Sequence, residues 1–249
     1  MGGRRVLVTG ASRGIGAAVA AAFASAGDAV AVHCGRDVDA ARAVASSLPG
    51  SGHVVVQADL ADPDAVARCV SESVEGLGGL DVLVNNAGIF TAHPVLSSSY
   101  AQWQAGWAST LAVNLVGAAN ATFCVVPHLV AAGGGAVVNV GSRGAFRGEP
   151  ECPGYGASKA GLHAMGQSLA LALAPQGISV ASVAPGFVET EMAAELLDGP
   201  RGDGIRGQSP FGRVARAEEV AAAVLWLASP DASFASGTVL DVNGASYLR

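Results

Sequence analysis

The sequence predicts an α/β protein, a single doubly wound domain whose seven-stranded parallel sheet carries helices on both faces. Short runs of β-branched and apolar residues alternate with Ala-rich stretches of helical length through all 249 residues. That alternation is typical of parallel strands joined by crossover helices. The first of the short runs are continuously apolar between their end residues rather than alternating, as expected for strands that are covered on both faces.

Seven strands are expected, each a short run rich in Val, Ile or Ala: 5–8, 29–33, 53–57, 80–84, 136–140, 178–183 and 238–242. The stretches between them predict six helices, at 14–26, 38–48, 62–76, 100–131, 154–174 and 217–228. The third begins with Asp62 as N-cap and Pro63 in its first turn.

The chain between 188 and 212 interrupts this pattern with repeated Gly and Pro. A stretch of this length inside a compact domain is often a lid over a binding site. We expect a flexible substrate lid here, within a single domain that spans 1–249. An ordinary surface excursion is the alternative.

Composition limits the classes of function. Apolar residues make up 51% of the chain and charged residues 14%, which predicts a packed core rather than disorder. The net charge of −6 argues against nucleic acid as a partner. Cysteines and histidines are dispersed, so no metal site is expected. No uninterrupted apolar run reaches the roughly 18–20 residues of a membrane span. We expect a cytoplasmic protein with no membrane partner.

A glycine-rich turn lies between the first strand and the first helix. Glycines let the chain turn tightly and let a phosphate approach the backbone, and the free N–H groups of the helix N-terminus bind the anion. The position of the turn in a strand–turn–helix unit therefore predicts dinucleotide binding. Its candidate residues are Gly10, Ser12, Arg13, Gly14, Ile15 and Gly16.

Tyr155 and Lys159 lie four residues apart in the helix expected at 154–174, which places both side chains on one helical face. Lys159 is the only lysine among 14 Lys and Arg residues. An ammonium beside a phenol, together with the positive ring of an oxidised nicotinamide cofactor, favours the phenolate, so we expect a lowered Tyr155 pKa. The pair predicts general acid–base catalysis with Tyr155 as the acid or base.

Four motifs together resemble the classical branch of the short-chain dehydrogenase/reductase family: TGASRGIG at 9–16, NNAG at 85–88, YGASK at 155–159 and PGFVET at 185–190. The resemblance extends over nearly the whole chain, and the overall sequence pattern is most similar to that of bacterial 3-oxoacyl-thioester (acyl-carrier-protein) reductases. It implies a Rossmann-type fold and hydride transfer between a nicotinamide cofactor and a carbonyl or alcohol. The stretches 126–135 and 168–176 contain no Lys or Arg, which disfavours an acidic carrier protein.

The resemblance also implies roles for individual residues. Ser142 is expected to orient the substrate oxygen, and Asn114 to hold a water in the proton relay from Lys159; with Tyr155 these form the catalytic set. Further cofactor contacts are implied for Asp59, Leu60, Asn86, Ala87, Gly88, Pro185, Gly186, Val188 and Thr190, together with Tyr155 and Lys159. Substrate contacts are expected from Ser142, Phe146, Tyr155 and Phe187, with Arg143, Arg147, Glu149 and Met192 nearby. Arg147 either meets an anionic substrate group, pairs with Glu149 or points to solvent.

The end of the second strand indicates which dinucleotide is bound. Cys34 stands where an acid holds the ribose hydroxyls of NAD, and Arg36 follows it. Arg36 and Arg13 can converge on a 2′-phosphate, which favours NADPH/NADP over NAD. Asp37 is the competing residue, because it serves NAD if the strand ends a few residues later.

The sequence thus predicts an NADPH-dependent oxidoreductase that reduces a ketone, such as a 3-oxoacyl thioester, to a secondary alcohol. Two alternatives stay open: an NAD-dependent dehydrogenase of a secondary alcohol or sugar, and a non-catalytic regulator that senses NADPH. The expected partners are a small carbonyl or alcohol substrate and further copies of the chain. By the resemblance, the apolar stretches 111–130 and 220–228 are compatible with a homotetramer or homodimer.

Overall fold

Seven parallel strands form one sheet in the order β3-β2-β1-β4-β5-β6-β7 in the computed structural model, which describes residues 3–249 apart from the side chains of Met192 and Glu195. The pocket position expected for Met192 therefore lies outside the described residues. The predicted fold is confirmed. The strands are β1 (Arg5–Val8), β2 (Ala29–Cys34), β3 (Val54–Gln57), β4 (Val82–Asn85), β5 (Gly135–Val140), β6 (Ile178–Pro185) and β7 (Val239–Val242).

Ten α-helices occur in the described part of the chain: α1 (Gly14–Ser25), α2 (Val38–Ser47), α3 (Pro63–Leu77), α4 (Tyr100–Leu111), α5 (Ala118–Ala131), α6 (Gly144–Arg147), α7 (Pro153–Leu173), α8 (Glu191–Asp198), α9 (Gly202–Arg206) and α10 (Ala217–Leu227). A π-helical turn, Ala112–Gly117, joins α4 to α5. Short 3₁₀ turns cover Ala174–Gln176 and Pro230–Ala235. The predicted strands and helices agree with these bounds to within two residues, whereas α6, α8 and α9 were not predicted because they are short and lie in segments where Gly is frequent.

Successive strand residues face opposite helical layers, which explains their unbroken apolar runs. In β1, Val6 and Val8 pack in a core with Phe23 of α1 and Val224 of α10. Leu7, between them, joins a second core on the other face of the sheet, with residues of α3, α5 and α7. Fully burying one such side chain contributes about 2 kcal/mol, so both layers stabilise the sheet.

The strand order reverses at β1, which hydrogen-bonds to β2 on one side and to β4 on the other. In doubly wound sheets the ligand crevice lies at this reversal, outside the carboxyl ends of the strands. The chain leaving β1 at 9–13 and the chain leaving β4 at 86–88 therefore meet at the crevice.

The continuous helical run Tyr100–Ala131 is long and apolar enough, by length and composition alone, to cross a membrane. A core helix of a soluble protein passes the same test. Here Val125 and Leu129 are fully buried in the core against the sheet, and Pro127 lies within the run. The run is thus a packed helical layer of the fold, and cytoplasmic location stays a prediction.

The segment expected to be a lid folds into α8 and α9 with a small core of its own. Ala193, Leu197 and Ile205 are buried there and pack with Phe187. Val188 forms an isolated parallel bridge with Ala215, which fixes the start of the segment to the chain that follows it. That the segment opens and closes over a substrate stays a prediction.

Candidate active site

Thr9 fastens the glycine turn to the chain that leaves β4. Its Oγ1 accepts hydrogen bonds from the backbone amides of Asn86 (2.9 Å) and Ala87 (3.0 Å). In return, the Asn86 Nδ2 donates to the carbonyls of Thr9 (2.8 Å) and Gly10 (3.0 Å). The two loops at the crevice are therefore held as one unit. Thr9 was not among the predicted site residues, although it opens the TGASRGIG motif.

Gly10 has to be glycine for two reasons. Its φ is +63°, in the left-handed region, and a Cβ there would lie 2.8 Å from the Cα of Ala87. Past the turn, α1 begins with Arg13 at its N-cap, and no side chain caps the first turn. The first amides of α1 are consequently free to bind an anion.

His33 supports the same turn from β2. The ring is 1% exposed, and its Nδ1 accepts a hydrogen bond from the Gly10 amide at 2.9 Å. On its other side, Nε2 lies 3.1 Å from the carbonyl oxygen of Ala58, which fixes the Nε2–H tautomer. Burial lowers the pKa of His33. No sequence signal pointed to this residue beyond its place at a strand end.

Lys159 is enclosed beside the crevice. The residue is 3% exposed, and its Nζ donates a hydrogen bond to the carbonyl of Val140 at 2.8 Å. The ammonium lies 5.8 Å from the ring centroid of Tyr155, and a Cβ on Gly88 would lie 3.4 Å from Nζ. Burial lowers the Lys159 pKa to about 8. Lys159 thus has unused donors at the point where the NNAG loop passes.

The expected lowering of the Tyr155 pKa is wrong for the chain without cofactor. Burial raises the pKa of Tyr155 to about 12, and a hydrogen bond with the Ser142 side chain opposes this only in part. Phe90 packs edge-on against the phenol ring, with centroids 5.1 Å apart. The physical reason is desolvation of the charged form. Tyr155 therefore keeps its proton near neutral pH and is suited to donate it.

Asn114 lies in the π-helical turn, a helix defect often found at functional sites. Its Oδ1 accepts from the amide of Ile89 (2.8 Å), and its Nδ2 donates to the Ile89 carbonyl (3.0 Å) and to Ser158 Oγ (3.2 Å). Ser158 in turn donates to the backbone carbonyl of Tyr155. The Asn114 amide thus links the β4 loop to the helix of Tyr155, and its role in holding a water of the relay stays a prediction.

The residues expected around the substrate divide into two groups. Ser142 Oγ accepts a hydrogen bond from the Gly144 amide and contacts Tyr155, as the catalytic role requires. Phe146 instead stacks on His163, with ring centroids 5.2 Å apart. Arg147 hydrogen-bonds Gln208 in the lid segment, and no ion pair with Glu149 is present among the described side chains.

The next residues are those expected to determine whether NADP or NAD binds. Asp37 is the N-cap of α2, and its carboxylate accepts from the Ala40 amide at 2.9 Å. Arg13 and Arg36 are both exposed, and Arg13 lies 3.4 Å from Glu191. Asp59 accepts from the amide two residues later. Leu60 is buried in the core, which leaves only its backbone for a cofactor.

The chain leaving β6 runs along the glycine turn. The amide of Gly186 donates to Val242, which extends the pairing of β6 with β7 beyond Pro185. Val188 is buried, and Thr190 lies against the turn, because a Cβ on Gly14 would be 3.3 Å from its Cγ2. The predicted residues of 185–190 and of 10–16 therefore border the same space.

Groups of three or more His, Cys, Asp or Glu able to hold a metal ion do not occur in the part of the chain that the structure describes. The donors that converge on the crevice are instead backbone amides, one ammonium, one phenol and one serine hydroxyl. This set suits an organic cofactor with phosphates and hydroxyls, and a substrate with a carbonyl or hydroxyl oxygen.

Comparison with known proteins gives the same class. A family model described as enoyl-(acyl carrier protein) reductase matches residues 10–245. The cis-4-hydroxycyclohexanecarboxylate dehydrogenase of Sinomonas cyclohexanicum is 39% identical over 97% of this chain and 95% of its own. A Burkholderia cenocepacia short-chain dehydrogenase solved with NADP has a TM-score of 0.87 at 36% identity, covering 98% of both chains. A Brucella melitensis 3-ketoacyl-(acyl-carrier-protein) reductase solved with NADH has a TM-score of 0.88 at 30% identity, covering 99% of both.

The fold, the crevice and the Tyr–Lys pair define an oxidoreductase that acts on alcohol and ketone groups. The chain belongs to the short-chain dehydrogenase/reductase family.

Proposed function

We propose that the protein reduces a ketone to a secondary alcohol with NADPH. The observation that carries this proposal is the environment of Tyr155, whose side chain contacts Ser142 and whose ring centroid lies 5.8 Å from the buried Lys159 Nζ. When bound, the reduced cofactor supplies the hydride that the carbonyl carbon takes up. Tyr155 donates its proton to the carbonyl oxygen, so carbon and oxygen together gain two electrons and two hydrogens.

The other three residues of the predicted catalytic set assist this proton transfer. Ser142 donates a hydrogen bond to the substrate oxygen and orients it toward Tyr155. Lys159 places a positive charge by the phenol, which stabilises the phenolate left after the proton has gone. Asn114 keeps the β4 loop against α7 and so maintains the distance between the two sides of the crevice.

The residues at the crevice fit a dinucleotide. Gly10 lets the turn pack directly against Ala87, and the uncapped first turn of α1 offers amides to the phosphates. Lys159 has donors left over for the ribose hydroxyls, beside Gly88. These contacts support binding of the cofactor across the carboxyl ends of β1 and β4.

NADPH is favoured over NADH by the end of β2. The Asp37 carboxylate already serves as the N-cap of α2, which makes it a weak competitor for the ribose hydroxyls. Arg36 is exposed and available for the extra phosphate, and Arg13 is exposed in a 3.4 Å pair with Glu191 that the phosphate would replace. Since structural relatives have been solved with NADP and with NADH, the choice within this family depends on such residues.

The substrate proposed is a free small molecule rather than a group on a carrier protein. The stretches that would meet an acidic carrier have no Lys or Arg, and the chain has a net charge of −6. An NAD-dependent oxidation of a secondary alcohol is the second candidate, favoured by the name of the Sinomonas relative, a dehydrogenase of a hydroxylated ring.

The test follows consumption of NADPH and of NADH with acetoacetyl-coenzyme A, cyclohexanone and 4-oxocyclohexanecarboxylate. Tyr155→Phe is expected to lower kcat about 10²- to 10⁴-fold while NADPH still binds. Tyr100→Phe, at an exposed tyrosine, is the matched control and keeps full activity. Equal use of NADH would reject the cofactor preference. NADPH binding without turnover of any ketone, or turnover that survives Tyr155→Phe, would favour the sensing regulator or another mechanism.

We also propose that copies of the chain associate through the helical layer of α4, α5 and α7. Phe123 and Leu171 expose 80% and 83% of their surface on these helices, and Val116 is half exposed between α4 and α5. The stretch expected on α10 is less available, because Val220 and Val224 are buried against α1. Light scattering at micromolar concentration is expected to give a dimer or tetramer, and a monomer would reject this interface.

A further inference from the structure

Arg143, the residue after Ser142, has a buried guanidinium that faces a cavity. The residue is 4% exposed. Its Nη1 donates to Ser246 Oγ at 2.7 Å, and its Cζ lies 5.3 Å from the ring centroid of Phe187. No other hydrogen bond from this side chain occurs in the described structure, although a guanidinium carries five N–H donors. Most of its donors are therefore available to a ligand.

The cavity has a volume of about 330 Å³, within the range of small-molecule sites. Arg143 and Phe187 form one wall, and the lid segment contributes Ile205 and Phe211. The amide of Arg143 donates to Pro185 at the end of β6. Ser142 and Tyr155 are not among the residues that line the cavity, which borders the predicted substrate site through Arg143 and Phe187.

Among the described charged residues that line the cavity, Arg143 is the one that has no opposite charge in contact. Arg213 lies 2.7 Å from Glu219, and Asp241 lies 2.9 Å from Arg249, so these lining charges are already paired. Glu149 is the one acid that acts on Arg143 at longer range, and the described side chains show no ion pair between the two. Leaving a buried charge unpaired is costly, so a ligand anion here would be bound favourably.

The other residues that line the cavity indicate what kind of ligand bears the anionic group. Ser209 and Asn243 are engaged in hydrogen bonds to neighbouring backbone carbonyls. Phe187, Ile205 and Val214 supply an apolar surface. One guanidinium without a paired acid, beside apolar side chains, matches a monoanion on an apolar body, and carboxylates pair with guanidinium forks in two parallel hydrogen bonds. A phosphate dianion would call for more positive charge than the cavity provides.

We propose that this cavity is the distal part of the substrate site and that Arg143 binds the carboxylate of an apolar keto or hydroxy acid. The proposal rests on the proposed oxidoreductase function, since it names the substrate class of the same site. It assigns recognition of the anionic group to Arg143 and not to Arg147, whose exposed guanidinium is bonded to Gln208.

The binding test uses the intact protein with NADP and two ligands of equal shape, cyclohexanecarboxylate and cyclohexanecarboxamide, in titration calorimetry. The carboxylate is expected to bind about 10- to 100-fold more tightly, as for a hydrogen-bonded charge pair. Arg143→Met should remove that preference, and Arg143→Lys should keep part of it. Equal binding of the two ligands, binding of neither, or loss of the preference in Arg147→Met instead would overturn the proposal. Thermal midpoint and NADPH affinity show whether each variant is folded.

The kinetic test compares 4-oxocyclohexanecarboxylate with cyclohexanone. In Arg143→Met the KM for the keto acid is expected to rise about 10- to 100-fold relative to that for the neutral ketone. If Tyr155-dependent turnover of neutral ketones occurs and the keto acid gains nothing, the carboxylate site is wrong and the proposed function stands. If the carboxylate binds through Arg143 and no ketone is reduced, the carboxylate site stands and the proposed function is wrong.

Discussion

The imidazole of His33 accepts a hydrogen bond from the backbone amide of Gly10, 2.9 Å away, and so links the second strand to the glycine turn. Gly10 is at the same time held by the side chain of Asn86 from the fourth strand. The turn that would receive the phosphates is therefore fixed on both sides of the strand reversal. Preorganisation of this kind lowers the cost of binding, because the loop does not need to be ordered by the ligand.

Replacing His33 tests this support. His33→Leu removes the acceptor for the Gly10 amide and leaves a buried N–H unpaired, so the Kd for NADPH should rise about 10-fold. His33→Asn keeps an acceptor near the Nδ1 position and should show a smaller rise. Fluorescence titration of NADPH measures both. Equal affinities in the wild type and in His33→Leu would contradict a role of this bond in the turn.

His163 makes the fold sensitive to acid. Both ring nitrogens are buried without a hydrogen-bond partner in the described structure, and burial lowers its pKa to about 4. The unfolded chain takes up a proton near pH 6.5 and the folded chain does not. The free energy of unfolding should therefore fall by about 3 kcal/mol between pH 6.5 and pH 4. His163→Leu should abolish this part of the decline, measured by urea unfolding at several pH values. An unchanged pH profile in the variant would contradict the prediction.

Burial of the Lys159 ammonium, in the catalytic role proposed for it, is expected to lower stability. Its pKa is about 8 in the folded chain and about 10.5 when unfolded, so between these values only the unfolded chain holds the proton. Wild-type stability should consequently rise by about 3 kcal/mol from pH 8 to pH 10.5, relative to Lys159→Met. At pH 7 the variant should unfold at a higher temperature and have little activity. A less stable variant at pH 7 would mean that the hydrogen bond to Val140 outweighs the cost of burying the charge.

The pair of Arg5 and Asp81 ties the first strand to the start of the fourth. Two guanidinium nitrogens of Arg5 donate to the Asp81 carboxylate, and this lowers the Asp81 pKa. The stabilisation is present above the ordinary Asp pKa of about 4 and is lost as pH falls through the lowered value. Asp81→Asn should cost about 1–2 kcal/mol at pH 7 in denaturant unfolding. Asp39→Asn, in an exposed pair with Arg42, is the control and should cost almost nothing.

The sequence predicted the sheet, the glycine turn and the Tyr–Lys pair because each leaves a local pattern. Unbroken apolar runs mark strands covered on both faces, and the four-residue spacing of Tyr155 and Lys159 follows from the pitch of one helix. The helices of the lid segment left no such pattern, since α8 and α9 are short and the chain that follows α8 is rich in Gly.

The contacts of His33, Asn114 and Arg143 were not predictable in the same way. His33 is 23 residues from Gly10 along the chain, and Asn114 is 25 residues from Ile89. Each becomes a partner only when the strand order places the two segments side by side. The expected lowering of the Tyr155 pKa failed for a related reason, because local spacing showed the ammonium but not the desolvation.

By itself, then, the sequence determined the class of fold, the order of the main elements and a candidate set of reacting groups, since these depend on patterns within a few turns of chain. Tertiary structure alone decided which side chains hold the turn, which charges are paired and which guanidinium faces a cavity. Those properties depend on the burial and distance of groups far apart in the chain, and packing of the two helical layers on the sheet sets both.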